Sequence, residues 1–226
     1  MKALDENYLI VRKCDPHIDT LPHMKAAKNS RGYLGEYLDW GITAPDWSIQ
    51  QHTNFLLSNV KRDITQTTYV AYYKDRFAGL FSIGLESGTL GGQVCYWTAR
   101  ELSGMGIATA VTDYLTWVAF MRLRWGHVQL HIDQENIGSS RVAEKCGFHI
   151  LDNYKCEKDG TKGSGKMSLW IKYSPDLLND TEEKRNEILR SGMMSPRSMW
   201  HVSGFERLAN DLFSNPILLS QSNESK

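Results

Sequence analysis

The chain has 226 residues, enough for one well-cored domain with an appendage or for two small domains. Its 26 Lys and Arg balance 26 Asp and Glu, which leaves no basic field for nucleic acid and no polybasic patch for a membrane. The opening Met1-Lys2-Ala3-Leu4-Asp5-Glu6 is not laid out as a signal peptide and no apolar run approaches a membrane span, so a soluble, cytoplasmic protein is expected.

In chain order, Tyr8-Leu9-Ile10-Val11 reads as a first strand. The stretch to about Ile64 reads as two helices, with Trp40 to Asp46 as a break before a helix from Trp47 to Val60. Thr67 to Tyr73 and Phe77 to Leu85 are β-rich and joined by Lys74-Asp75-Arg76, which predicts a hairpin. Gln93 to Thr98 follows Gly91-Gly92 as a fourth strand. From Gly106 onward Ile107, Val111, Tyr114, Leu115, Val118 and Met121 recur at helical spacing and predict a helix with one buried stripe. His127 to Asp133 alternates polar and apolar, as a strand with one covered face does. Ser139 to Lys145 predicts a helix ending at Gly147, and Phe148 to Tyr154 and Lys166 to Tyr173 read as two closing strands around a polar turn. Composition shifts after Tyr173, so residues 1–173 are read as the domain and 174–226 as an extension. Its helices are expected from about Asp180-Thr181-Glu182-Glu183 and from about Pro196, and its polar end is read as disordered. Cys14, Cys95, Cys146 and Cys156 have neither paired nor zinc-like spacing and are read as reduced, buried thiols.

Chemistry concentrates between the fourth strand and the helix after it, in Arg100-Glu101-Leu102-Ser103-Gly104-Met105-Gly106-Ile107-Ala108-Thr109. Gly104 and Gly106 open backbone angles closed to other residues and bring no side chain, so consecutive N–H groups can face one anion. The helix start adds its own unpaired N–H groups and the positive end of its dipole. By itself such a loop suits a nucleotide, a flavin or a sugar phosphate. Downstream stands Glu135-Asn136-Ile137-Gly138-Ser139-Ser140-Arg141-Val142-Ala143-Glu144-Lys145-Cys146-Gly147-Phe148, in which Asn136 and Ser139 are good helix caps and Gly147 is a helix terminator.

Together the two stretches resemble the GNAT N-acetyltransferase family. Glu101 to Gly106 resembles its acetyl-coenzyme A pyrophosphate loop, Q/R-x-x-G-x-G/A, with Glu101 in the place of Gln or Arg. Asn136, Ser139, Ala143, Gly147 and Phe148 match the N-x-x-S-x-x-x-A-x-x-x-G-F signature of the branch that acetylates ribosomal-protein N-termini, the RimJ and RimL type, and Tyr96-Trp97 also resembles that branch. The resemblance spans about residues 5 to 173 and leaves the extension without a counterpart. It implies an α+β fold with a mixed, mostly antiparallel sheet splayed between its fourth and fifth strands, helices on both faces, and a helical C-terminal extension.

The resemblance also implies a cosubstrate, acetyl-coenzyme A, with its pantetheine arm along the fourth strand near Trp97 and Thr98 and its pyrophosphate on the amides of Ser103, Gly104, Met105, Gly106, Ile107, Ala108 and Thr109. Ser139 matches the serine that serves the departing thiolate, and Asn136 the residue that orders the cofactor or a water beside it. A backbone N–H around Trp97 or Thr98 is the expected donor to the thioester carbonyl. Glu157 falls near a glutamate of the ribosomal-protein branch and is the candidate base, set against a solvated charge beside a turn. Glu36, Asp39 and Glu86 are alternative carboxylates for the acceptor cleft, acting through water or anchoring a cationic substrate.

Three other features carry less. His127, Gln129, His131 and Asp133 share a strand face, but His-x-His without a third ligand reads as a polar face, so no metal is expected. Tyr33, Tyr37, Trp40 and Trp47 divide between pocket wall and core. Met193-Met194 and Trp200 fit a lid over the acceptor cleft or a homodimer contact. The expected activity is direct acetyl transfer to an amine, first a peptide or protein N-terminus. Its alternatives are a small-molecule amine, such as an antibiotic or an aminoacyl metabolite, and a non-catalytic acyl-coenzyme A sensor.

Overall fold

A computed structural model describes residues 4–60, 66–86, 89–156, 163–175 and 217–218. Strand β1 (Leu9–Lys13) leads into helix α1 (Pro16–Asn29), whose start is set by Pro16 and by the Asp15 carboxylate, which accepts from the His17 N–H. The expected break at Trp40 to Asp46 is instead a short helix, α2 (Asp39–Thr43), followed by a 3-10 turn at Ala44–Asp46. Gly41 there is a packing glycine and not a helix breaker: a Cβ on it would lie 2.7 Å from the backbone of Leu34. Helix α3 (Ile49–Val60) begins two residues later than Trp47 because Ser48 and Gln51 cap it reciprocally, Ser48 N–H donating to the Gln51 side chain and Gln51 N–H to the Ser48 hydroxyl.

Strands β2 (Gln66–Tyr73) and β3 (Arg76–Leu85) form the predicted hairpin. Both turn residues, Lys74 and Asp75, have positive φ (50° and 60°), the turn whose twist matches a hairpin. Then follow β4 (Gly91–Thr98), α4 (Ile107–Met121), β5 (His127–Asp133), α5 (Ile137–Lys145), β6 (His149–Lys155) and β7 (Lys166–Tyr173). The buried arc of α4 is centred on Val111, Leu115 and Ala119 and takes in Thr112, Thr116 and Phe120, so Met121 is exposed and Tyr114 lies on the margin. Thr and Ala on that arc let the helix lie close to the sheet, which an apolar periodicity does not register.

The sheet runs β6-β7-β5-β4-β3-β2-β1, with β8 (Ile217–Leu218) against the outer edge of β1. The helices expected in the extension, and Met193, Met194 and Trp200, lie outside the described residues. Every pairing is antiparallel except β4 with β5, which are parallel and touch only at Gly91↔His127, Gly92↔Val128 and Gln93↔Gln129. Beyond those three pairs β4 continues on β3 and β5 on β7, and the two strands part. Gly92 permits the close approach at the joined end, where a Cβ would meet the Gly84 carbonyl at 2.1 Å and the Trp125 ring at 2.6 Å.

One core lies between the sheet and α4 and α5, built on residues such as Phe81, Val94, Leu115, Leu130 and Trp170. A second lies on the other face, where α1 and α3 pack on β3 and β2 through Leu34, Leu56, Val70, Phe77 and Leu80. Within it His23 and His52 are fully buried with their Nδ1 atoms 3.0 Å apart, among the rings of Trp40, Phe55, Phe77 and Trp97. Cys14 and Cys146 are buried as expected, whereas Cys95 and Cys156 are exposed: Cys95 shares its strand face with Trp97 but lies beyond the apolar cluster that takes Trp97.

Candidate active site

The loop after β4 takes the form its glycines foretell. A 3-10 turn at Arg100–Leu102 leads to extended Ser103, then Gly104 (φ 76°) and Gly106 (φ 95°), the latter the left-handed N-cap of α4. No side chain caps this helix, and the amides of Gly104 to Thr109 have no partner among the described residues. A Cβ built on Gly104 would meet nothing within 4 Å, so the glycine is there for its φ and for the open space beside it. Gly104, Gly106, Ala108 and Thr109 line a cleft of about 300 Å³. Ile107 also touches the cleft although its side chain is buried in the core, and the Met105 side chain packs on the core, so both turn chiefly their amides to a ligand.

Strand alternation decides which way β4 presents its groups. The Ala99 N–H donates to the Ala78 carbonyl on β3, so the Trp97 amide two residues earlier also faces β3, while those of Thr98, Tyr96 and Val94 face the split. Of the two expected amide donors, Thr98 is the one turned to the opening, and Tyr96 joins it. The Trp97 side chain belongs to the α1–α3 core with its Nε1 unpaired, although the residue also lines the cleft.

Helix α5 supplies the opposite wall. Asn136 caps it, its Oδ1 accepting from the Ser139 N–H at 3.1 Å, so that oxygen is committed to the helix start. The Ser139 side chain lines the cleft, and Gly138, Arg141, Val142 and Lys145 follow along one stripe of the same helix. That spacing is the signal by which Arg141 and Lys145, cations suited to phosphate, are recognisable in the sequence. Beside Ser139 the Tyr96 hydroxyl is buried without a hydrogen-bond partner. Burial pushes its pKa up to about 12 and the Ser139 hydroxyl acts in the other direction, although the two form no hydrogen bond of ordinary geometry.

The segment before α2 closes the third side. The hydroxyls of Tyr33 and Ser103 are 3.1 Å apart, and the Tyr37 hydroxyl donates to the Glu135 carbonyl at 3.0 Å, so two tyrosines four residues apart reach both walls of the opening. Burial, then Glu36, raises the Tyr37 pKa. Of the four aromatics singled out in the sequence, Tyr33 and Tyr37 are wall while Trp40 and Trp47 are packed on the core. Glu101, where the family has Gln or Arg, points away from the cleft: it accepts from Asn29 of α1 at 2.9 Å and pairs with Arg76 of the hairpin, bracing the loop from behind. A hollow of about 380 Å³ lies on that side. It has neither the glycine turn nor a helix start on its wall.

The proposed carboxylates do not gather. Glu36 and Asp39 flank the cleft without lining it, and Glu86 stands at the joined end of β4 and β5, within electrostatic reach of His127 and His131. Glu157 lies outside the described residues. His127 and Gln129 are neighbours at 3.1 Å and His131 bonds Tyr154 at 2.7 Å; no group of metal ligands forms among the described residues. An extended thioester with a diphosphate end fits the rest: unpaired amides and two cations for phosphate, a strand edge for an amide-bearing arm, and an orphaned hydroxyl at the inner end.

The family model for the acetyltransferase (GNAT) domain matches residues 9–149, more than half of the chain. No curated protein matches in sequence. Among solved structures, the fold is similar to that of RimL, a ribosomal L7/L12 α-N-protein acetyltransferase in complex with coenzyme A (TM-score 0.66, 16% identity, covering 74% of this chain and 94% of that one). It is likewise similar to Mycobacterium smegmatis RimJ with a coenzyme A disulfide (0.66, 18%, 81% and 90%). Vibrio cholerae spermidine N-acetyltransferase in complex with coenzyme A and spermine is a third (0.59, 19%, 76% and 99%).

Proposed function

The chain belongs to the GNAT acetyltransferase family, and from that premise we propose that it moves an acetyl group from acetyl-coenzyme A directly to a primary amine, first of all the N-terminal amine of a peptide or protein. The observation that carries the direct transfer is the opening between β4 and β5, with amide donors along its cofactor side. The diphosphate sits on the amides from Gly104 to Thr109 with Arg141 and Lys145 alongside, and the arm pairs with the amides of Tyr96 and Thr98. One of these amides donates to the thioester oxygen as charge develops on it.

At the sulfur, Ser139 and Tyr96 present hydroxyls. Tyr96, its pKa pushed up to about 12, stays protonated near neutral pH and donates a hydrogen bond toward the sulfur, and the Ser139 hydroxyl serves as a relay that passes a proton from water to the thiolate as its own is replaced. Preference for a peptide over a small amine rests on the open acceptor side: α1 and α3 pack on β3 and β2, and every residue of β6 is exposed. No helix among the described residues is long and apolar enough to cross a membrane.

The test is release of free thiol from acetyl-coenzyme A with three acceptors: an N-terminal seryl peptide, an N-terminal alanyl peptide and spermidine. Steady turnover with a peptide and little with spermidine supports the first reading. The reverse order moves the assignment to small amines. Coenzyme A binding without turnover on any of the three makes the chain a sensor.

A further inference from the structure

Resting on the acetyl-transfer reading above, we propose that His131 is the group that takes the proton from the attacking amine, on the sheet face opposite α4 and α5. Gln93 and Gln129 are the last partners before β4 and β5 part, so the residues two further along, Cys95 and His131, stand on either side of the start of the opening. Alternation turns both to one face: Val128, Leu130 and Ile132 are buried in the α4-side core, while His131 and Cys95 are exposed. Tyr96, next to Cys95, points the other way, toward Ser139. The donors to sulfur and the acceptor from nitrogen thus occupy opposite faces of one gap.

The opening is also of the right depth. From Thr98, beside the phosphate loop, back to Cys95 is three residues, roughly 10 Å of strand, a span of the order of the arm that must lie along it. His131 makes one contact on its ring, Nδ1 to the Tyr154 hydroxyl at 2.7 Å. With Nδ1–H donating to the Tyr154 oxygen, the ring is held and Nε2 keeps its lone pair, and Nε2 has no partner among the described residues. Burial lowers the His131 pKa below its ordinary 6.5, with Glu86 opposing, so the imidazole is unprotonated near neutral pH. The titratable groups that share its face are Asp133 and His127 on its own strand, Tyr154 and Asp152 from β6, Cys95 from β4, and Glu86 just past the end of β3; its partner on β7 is the apolar Leu169. His127 is a poorer candidate, being buried with its Nε2 against Gln129.

The step balances without a further reactant. An ammonium first gives one proton to solvent; the nitrogen lone pair forms the N–C bond; the C–S bond breaks and its electron pair leaves on sulfur. The second nitrogen proton passes to His131 Nε2, the thiolate takes a proton from water that Ser139 relays, and the exposed imidazolium returns its proton to water, so that one proton is released net. The products are the amide and coenzyme A.

The full-length chain with acetyl-coenzyme A and the seryl peptide or spermidine, whichever turns over, provides the test. His131→Gln should lower kcat about a hundredfold or more while coenzyme A affinity stays within about threefold, the range expected for loss of a general base. The wild-type rate should fall on the acid side with an inflection below 6.5 that His131→Gln lacks, and added imidazole should restore part of the rate of His131→Ala. A rate within about threefold of wild type, or an acid limb that survives in His131→Gln and disappears in Glu157→Gln, overturns the assignment. In those cases wild-type turnover keeps the acetyl-transfer reading, whereas a wild type inert toward every acceptor defeats both.

Discussion

Replacing Gly104 by Ala separates the two reasons a glycine can stand in the loop. At φ 76° an added Cβ meets no protein atom within 4 Å, so the variant has no clash to relieve. What remains is the backbone cost of a left-handed residue, about 1–2 kcal/mol. For a chain of this size that lowers Tm by roughly 2–8 °C. If the open space is where the diphosphate lies, the methyl also moves the Gly104 and Met105 amides off it. Loss of one charge-assisted hydrogen bond, about 1.5–3 kcal/mol, weakens Kd for coenzyme A roughly ten- to a hundredfold. Gly32 is the matched control, with φ 79° and likewise nothing within 4 Å. Thermal melts and calorimetric titration with coenzyme A should show both variants losing similar stability and only Gly104→Ala losing affinity. Equal affinity losses, or none in either, would refute the assignment of these amides to the diphosphate.

Ser139→Ala should lower kcat by about ten- to a hundredfold and leave coenzyme A affinity nearly unchanged, because the Asn136 cap uses the Ser139 backbone and not its hydroxyl; a stopped assay of thiol release against calorimetric Kd decides it. Glu101→Ala should raise the KM for acetyl-coenzyme A a fewfold with kcat preserved, since the loop loses its brace to Asn29 and Arg76 but no ligand contact; unaltered kinetics would make the brace idle. His23, buried beside His52, has its pKa lowered from 6.5 to about 3 by burial and then by His52. Below 6.5 the unfolded chain binds a proton that the folded chain refuses, so stability falls as pH falls, by about 2 kcal/mol at about pH 5 from His23 alone. Urea melts at neutral and at acid pH should show this slope, smaller in His23→Phe; a flat profile would contradict the buried neutral pair.

What could be read from the chain and what could not divide along the distance of the contacts. The glycine loop proposed for the pyrophosphate is local: Gly104 and Gly106 have positive φ and no side chain caps the helix after them, and both features follow from adjacent residues. The split was legible only through resemblance, because three ladder pairs between Gly91 and Gln93 and β5 depend on glycines that read merely as a turn. Glu101 looked like a departure in the binding motif since its partner Asn29 is 72 residues away, and Tyr37 looked like core or wall because its acceptor, Glu135, is 98 residues away. Which way the candidate carboxylates face was beyond the pattern for the same reason: Glu36, Asp39 and Glu86 sit at the ends of elements, where direction is set by tertiary packing, and none of the three lines the cleft. His131 differs: its alternation with His127 marks a polar strand face from the sequence, but that it stands two residues past the last β4–β5 pair, the placement on which its proposed role rests, depends on a register between distant strands. The cofactor half of the site is therefore written in short segments that a family signature captures. The acceptor half is assembled by residues brought from separate strands, which is why the chain identifies its acyl donor more readily than its amine.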